Sequence, residues 1–216
     1  MRKFTIAGCL LLISAAYASA TLAGDTYQVS ITNVTRGVSF TPILAITHKA
    51  GSPLFTLGAP ASSELAAIAE GGATGPFKDA LFASGIAMDA ASSSGLLAPG
   101  ATASLIVKAD GDFDYLTVAA MLLPTNDGFI AVNGMKLPDG KKTATVFSPA
   151  YDAGSENNDE SCASIPGPLC NGEAFSDGQG EGFVHIHAGI KGIADLDAAS
   201  YDWRNPVAKI TVTRVK

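Results

Sequence analysis

Short segments that alternate between apolar and polar residues recur along this chain and constrain its fold more than any other feature. Residues 26–32 read T-Y-Q-V-S-I-T, and residues 207–215 read V-A-K-I-T-V-T-R-V. Successive side chains of a β-strand point to opposite faces of a sheet, so a period of two predicts strands with one buried face. Residues 115–123 are almost continuously apolar instead, which is typical of a strand buried on both faces.

Only two segments have a helical pattern. Residues 62–70 begin with Ser62, a good capping residue, and end at a Gly-Gly pair. Residues 76–83 begin with Pro76, which suits the first turn of a helix. The chain is therefore predicted to be all-β, an antiparallel β-sandwich with one or two short helices. The further predicted strands are residues 40–47, 101–108, 129–132, 143–147 and 182–187.

The N-terminus has the three parts of a secretory signal peptide. Two basic residues are followed by the apolar residues 6–16 and by an A-x-A cleavage signature at residues 18–20. We expect residues 1–20 to be the signal peptide and residues 21–216 to form one β-sandwich domain. The apolar stretch is too short to span a bilayer, so we expect a secreted protein, extracellular or periplasmic, with no membrane span.

The charge of the chain argues against two classes of partner. The formal net charge of −6 becomes −8 when the signal peptide takes its two basic residues with it. An acidic chain without a basic stripe is poorly suited to bind nucleic acid or an anionic membrane surface. We therefore expect an extracellular protein or glycan as the partner, and no nucleic acid.

Two cysteines are left once the signal peptide is removed. Cys162 and Cys170 lie on either side of a Pro/Gly loop. In an exported chain, such a pair favours one disulfide bond. This bond would pin the long Gly/Ser/Asn-rich loop of residues 154–180, whose length is typical of functional loops.

The segment of residues 151–160, Y-D-A-G-S-E-N-N-D-E, carries the densest negative charge of the chain, with four carboxylates and no Lys or Arg. Carboxylate, amide and backbone oxygens are the ligands of Ca²⁺, which takes about six to eight of them. From composition alone, a solvated acidic loop explains the segment at least as well. Asp127 favours the metal hypothesis, because it lies in the turn-rich segment P-T-N-D-G directly after a buried strand.

Six motifs follow one another in a distinctive order: Y-Q-V-S-I-T-N-V-T-R-G, F-T-P-I-L-A-I-T-H, L-L-P-T-N-D-G-F, Y-D-A-G-S-E-N-N-D-E, I-P-G-P and Y-D-W-R-N-P-V-A-K-I-T-V. This order resembles the spondin N-terminal (F-spondin) domain family, in its secreted stand-alone bacterial form, over roughly residues 25–215. In animal members, a Ser-Pro-Asp-Trp turn and a Trp-Asp-Ala-Gly-Thr-Asp segment occupy the places of P-T-N-D-G-F and Y-D-A-G-S-E.

The resemblance implies a β-sandwich with bound Ca²⁺, and it implies Asp127, Asp152 and Glu156 as the ligands. Glu156 stands where the animal members have Asp, and Gly128-Phe129 replaces the Trp of the first motif. The implied function is that of a secreted calcium-binding module for cell adhesion or extracellular matrix, without catalysis.

Two other functions are open. His185 and His187 lie two residues apart on a predicted strand, so both could bind one transition metal of a secreted metalloenzyme. Further ligands would be scarce, because His48 is the only other histidine and Glu181 is the nearest carboxylate. A carbohydrate-binding module would instead use Trp203 and the acidic residues around it. The chain has no G-x-S-x-G, H-E-x-x-H or P-loop motif, so we expect no catalysis.

Overall fold

The computed structural model of the chain describes residues 24–140, 142–176 and 179–216. The strands in these ranges form two antiparallel sheets, one of four and one of seven strands, which confirms the predicted all-β sandwich. The predicted signal peptide, residues 1–20, lies outside the described residues. In chain order, the elements are β1 (Asp25–Asn33), β2 (Ser39–Phe40), β3 (Leu44–His48), α1 (Ser63–Gly71), α2 (Gly75–Ala83), β4 (Ala87–Ser92), β5 (Thr102–Ala109), β6 (Tyr115–Leu123), β7 (Gly128–Lys136), β8 (Thr143–Ser148), β9 (Tyr151–Asp152), β10 (His185–Ile186), α3 (Ala198–Tyr201) and β11 (Ala208–Arg214).

The four-stranded sheet has the order β5-β1-β11-β8, and period-two alternation decides its two faces. On β1, Val29 and Ile31 are fully buried, whereas the residues between them are partly exposed. The inner residues Ile210 and Val212 of β11 are buried beside them. These side chains form the main core between the two sheets, as the alternating pattern predicted.

The seven-stranded sheet has the order β10-β9-β7-β6-β3-β4, and β2 also pairs with β6. Val118, Ala120 and Leu122 of β6 belong to the main core. Ala119, on the opposite face, belongs to a second core that includes residues of α1 and α2. The apolar run of β6 is therefore buried on both faces, as predicted, and the helices form a third layer.

The helix α1 begins and ends as its sequence predicts. The hydroxyl of Ser62 accepts a hydrogen bond from the backbone N–H of Leu65 at 3.2 Å. At the other end, Gly72 has a φ of 65°, a left-handed conformation that glycine adopts without steric cost. Leu65 and Ile68 are fully buried and hold the helix against the outer face of the seven-stranded sheet.

Three strand predictions differ from the structure. The predicted strand 40–47 is divided into β2 and β3, which pair with different parts of β6. The strand β4 was not predicted, because A-M-D-A-A-S has no alternating pattern, and its pairing with β3 holds it in the sheet. The predicted strand 182–187 is reduced to β10, since Gly182 has a φ of 81° and leaves the extended conformation.

The long connection between β9 and β10 has no strand in its described residues and contains one short 3₁₀ turn, Cys162–Ser164. The predicted disulfide bond between Cys162 and Cys170 is present, with a sequence separation of 8 residues. Within the described part of the chain, no helix is long and apolar enough to cross a bilayer.

Candidate metal centre

Strand pairing at one edge of the seven-stranded sheet places three distant parts of the chain side by side. Gly128 of β7 pairs with Asp152 of β9, and Asp152 pairs with His185 of β10. Asp127 directly precedes Gly128, and its backbone carbonyl accepts a hydrogen bond from the N–H of Ala153 at 3.2 Å. This row brings the predicted metal residues Asp127 and Asp152 next to the histidine segment.

Asp152, Glu181 and His185 form a group that could hold a metal ion. The Nε2 atom of His185 lies 3.5 Å from Oδ1 of Asp152 and 3.6 Å from Oε2 of Glu181. One ligand atom from each of the three residues lies within 4.8 Å of the other two. The distances from Nε2 are longer than ordinary hydrogen bonds, and this nitrogen is buried without a hydrogen-bond partner.

Asp152 is the centre of this group. Its side chain is only 1% exposed. Its Oδ1 accepts a hydrogen bond from the N–H of Gly154 at 2.8 Å, and its Oδ2 accepts one from the Asn158 amide at 2.8 Å. Gly154 has a φ of 64°, and a Cβ there would meet the Phe183 carbonyl oxygen at 2.3 Å, so only glycine fits this turn.

His187 approaches Asp152 from the other side. Its Nε2 lies 3.9 Å from Oδ2 of Asp152, and its ring packs against Trp203 with 5.0 Å between ring centroids. Burial lowers the pKa of His187, although the charge of Asp152 acts in the opposite direction. The two histidines thus flank one carboxylate.

The Asp127 carboxylate is fully buried beside Asp152. Its Oδ2 accepts hydrogen bonds from the backbone N–H groups of Ser155 at 2.8 Å and Glu156 at 3.0 Å. Its Oδ1 is buried and has no hydrogen-bond partner. Burial, and then the charge of Asp152, raises the pKa of Asp127 to about 7. The ionised form of Asp127 is therefore less stable in this buried position than it would be in water.

Glu156, the third predicted ligand, turns its carboxylate in another direction. Its Oε1 accepts hydrogen bonds from the N–H and the hydroxyl of Ser176, at 2.6 and 2.8 Å. Burial raises the pKa of Glu156, and its Oε2 has no hydrogen-bond partner. Among the described residues, the group within 4.8 Å contains Asp152 but neither Glu156 nor Asp127. The predicted set of Asp127, Asp152 and Glu156 stays a prediction.

The other carboxylates of the acidic segment brace the loop. Asp159 accepts hydrogen bonds from the N–H of Ser161 at 2.9 Å and from the Asn126 amide at 3.1 Å. Glu160 accepts hydrogen bonds from the backbone N–H groups of Lys191 and Ile193. These carboxylates of the acidic segment are thus stabilised by hydrogen bonds from N–H groups of the protein.

The second acidic cluster near the C-terminus has a structural role. Asp197 caps α3, accepting a hydrogen bond from the N–H of Ala199 at 3.1 Å. Asp202 forms an ion pair with Arg204. Trp203 is only 7% exposed, so its ring is not available to stack on a glycan at the surface.

Glu181 belongs to the group, although the sequence indicated it only as the carboxylate nearest to the histidines. Its signal was the spacing of four residues before His185, which brings the two side chains together through the turn at Gly182. His48 lies elsewhere. Its Nδ1 contacts the Lys49 carbonyl oxygen at 2.8 Å, and its Nε2 contacts the Thr117 hydroxyl at 2.8 Å.

A small cavity of about 40 Å³ adjoins the group. This space can hold a few water molecules, and it is far smaller than the roughly 300–1,000 Å³ of a typical ligand pocket. The residues lining it are Thr125, Asn126, Asp152, Asn158, Glu160, Glu181, His185, His187, Ala188, Gly189, Ile190 and Lys191.

No protein-family model matches the chain, and no curated protein matches it at a significant level. The resemblance to spondin N-terminal domains therefore stays a prediction from the motif order.

Proposed function

We propose that this protein is an exported binding module, a β-sandwich in which one divalent cation fixes the end that carries the long loop. The observation that carries the proposal is the position of the buried Asp152 carboxylate. It lies between two imidazole nitrogens that have no hydrogen-bond partner, with Glu181 beside it. A cation at this point would join β9, β10 and the turn at residue 181, and so close the loop onto the sandwich.

The energetic reason for a cation is the buried negative charge. Asp127 and Asp152 are both fully buried and repel each other, so Asp127 takes up a proton near neutral pH unless a positive ion lies nearby. A cation that binds only the folded state stabilises it in proportion to the logarithm of its concentration. Ordering of the loop and binding of the ion would therefore favour each other.

Binding, with no catalysis, is favoured by the shape of the site. The adjoining cavity of about 40 Å³ admits water but no substrate of metabolite size. The disulfide bond supports an oxidising compartment, as do the predicted signal peptide and the spondin resemblance. We propose an extracellular or periplasmic location and an extracellular protein or glycan as partner, in a role of cell adhesion or matrix attachment.

The spondin resemblance implies that the ion is Ca²⁺. In support of this, Oδ1 of Asp127 and Oε2 of Glu156 are buried oxygens that accept no hydrogen bond. The N–H of Glu156 already donates to Asp127, so the two residues are neighbours. A Ca²⁺ ion held by Asp127, Asp152 and Glu156 would require Glu156 to turn away from Ser176.

The test is a thermal melt of the purified protein in EDTA and then with Ca²⁺, Mg²⁺ or Zn²⁺. We expect at least one ion to raise the melting temperature, and we expect Asp152→Asn to abolish that rise. Asp112→Asn is the matched control, because Asp112 is an exposed carboxylate outside this site, and it should respond like the wild type. If no ion raises the melting temperature of the wild type, the proposed metal-stabilised module is wrong.

A further inference from the structure

The hydrogen bond of His185 decides which of its ring nitrogens can bind a metal. Its Nδ1 lies 3.0 Å from the backbone carbonyl oxygen of Ile186. A carbonyl only accepts hydrogen bonds, so Nδ1 must carry the proton. In the neutral ring, Nε2 is then unprotonated and points its lone pair at the carboxylate oxygens of Asp152 and Glu181. A metal-ligating histidine usually donates its other ring N–H to a hydrogen bond, often to a backbone carbonyl, as His185 does here.

His187 has the opposite tautomer. The backbone N–H of Gly189 donates a hydrogen bond to its Nδ1 at 3.0 Å. Because Nδ1 accepts, the neutral ring carries its proton on Nε2, which faces Oδ2 of Asp152. His187 is 5% exposed and therefore cannot exchange this contact for water freely. In this tautomer, His187 does not offer a lone pair to the site.

When His185 is neutral, three ligand atoms lie together without a positive group between them, an arrangement that a cation would stabilise. Nε2 of His185, Oδ1 of Asp152 and Oε2 of Glu181 all present lone pairs to one another. A tetrahedral Zn²⁺ with bonds of about 2.0–2.1 Å separates its ligand atoms by roughly 3.3–3.4 Å. The observed separations from Nε2 are 3.5 and 3.6 Å, so these two pairs need only a small contraction, and the third pair lies within 4.8 Å.

The chemistry of the ligands indicates the class of ion. Ca²⁺ and Mg²⁺ take oxygen ligands, whereas imidazole suits Zn²⁺ and its neighbours in the first transition row. We infer that His185, Asp152 and Glu181 bind one first-row transition metal ion of the Zn²⁺ class, with a water molecule from the adjoining cavity as the fourth ligand. This inference rests on the proposed function, because it assigns a transition metal ion and a different ligand set, in place of Ca²⁺, to the same stabilising site.

The test is a calorimetric titration of the chelator-treated protein with Zn²⁺ and with Ca²⁺. We expect one Zn²⁺ site and a much weaker response to Ca²⁺. His185→Ala should reduce Zn²⁺ affinity by more than the roughly 10- to 100-fold that the loss of an outer hydrogen bond costs, and Glu181→Gln should also reduce it strongly. Glu173→Gln is the matched control from the same loop, and its affinity should equal that of the wild type.

Two measurements on the wild type do not depend on the folding of a variant. Long-range ¹H–¹⁵N spectra of the imidazole groups should show His185 with its proton on Nδ1, and its Nε2 signal should shift when Zn²⁺ is added. Co²⁺ in place of Zn²⁺ should give the intense visible absorption of a tetrahedral site.

Each other outcome overturns a defined part of the reasoning. If Ca²⁺ binds and Zn²⁺ does not, or if His185→Ala keeps the Zn²⁺ affinity, the inferred ligand set is wrong while the proposed metal-stabilised module stands. If neither ion binds and His185 is protonated at both nitrogens, His185 is an imidazolium paired with two carboxylates. That result refutes the inference and the proposed function together.

Discussion

The Asp127 carboxylate makes the electrostatic cost of this site measurable when no ion is bound. Burial, and then the charge of Asp152, raises its pKa from 3.8 to about 7. A carboxyl group with a raised pKa in the folded state keeps its proton over a pH range in which the unfolded chain has lost it. The free energy of unfolding therefore falls as the pH rises from about 4 through about 7.

The size of the effect follows from the two pKa values. Proton linkage with a pKa of 3.8 in the unfolded chain and about 7 in the folded protein gives a loss of roughly 2–3 kcal/mol between pH 5 and pH 8. For a domain of this size, that loss corresponds to about 4–12 °C in melting temperature. Asp127→Asn should remove it, because the amide oxygen can still accept the N–H groups of Ser155 and Glu156 while the side chain has no charge.

The assay is urea unfolding in EDTA at pH 5 and at pH 8, for the wild type, Asp127→Asn and the exposed control Asp112→Asn. We expect the wild type and the control to lose roughly 2–3 kcal/mol more stability between the two pH values than Asp127→Asn does. Comparing the variants cancels the contribution of the titrating groups that do not interact with Asp127. An Asp127→Asn protein whose stability has the same pH dependence as the wild type would refute the reasoning. The loss of stability between pH 5 and pH 8 would then not arise from the raised pKa of Asp127.

Three further predictions concern the loop and the framework. Gly154→Ala should lower the melting temperature and weaken metal binding, because its Cβ would meet the Phe183 carbonyl oxygen at 2.3 Å. The control is Gly51→Ala, because φ is also positive at Gly51 but the space around it is open. Equal shifts of the two variants in thermal melts would contradict the clash. Replacing both disulfide cysteines with Ser should cost about 2.5 kcal/mol in urea unfolding, as the loop-closure entropy predicts for a sequence separation of 8, and an unchanged midpoint would exclude this contribution. Asn33 begins an N-V-T acceptor sequence, but its amide is buried and donates to two backbone carbonyls, so mass spectrometry after expression in a glycosylating host should find no glycan there.

The strand pattern of the sequence was sufficient to predict the class of fold. Alternation along β1 and β11 follows from which face each strand buries, and the unbroken apolar run of β6 follows from its burial on both faces. Local propensity was not sufficient for β4 or for the division of residues 40–47, since pairing partners across the sheet determine where those strands begin and end.

The candidate site divides in the same way. The acidic segment could be found from the sequence because charge density is a local property. The bond between Cys162 and Cys170 could be predicted because only two cysteines follow the predicted signal peptide. Local sequence features could not predict that Asp152 faces His185 or that Glu156 turns to Ser176, because these contacts join distant parts of the chain.

By itself, the sequence thus determined the sandwich, the acidic loop and its disulfide bond, because alternation, composition and short spacings act locally. The tertiary structure alone decided which oxygens and nitrogens meet, because a row across β7, β9 and β10 joins residues that lie up to 57 positions apart, from Gly128 to His185. The tautomers of the two histidines depend in turn on backbone groups beside them, the Ile186 carbonyl and the Gly189 N–H, whose directions are set only when the loop has folded.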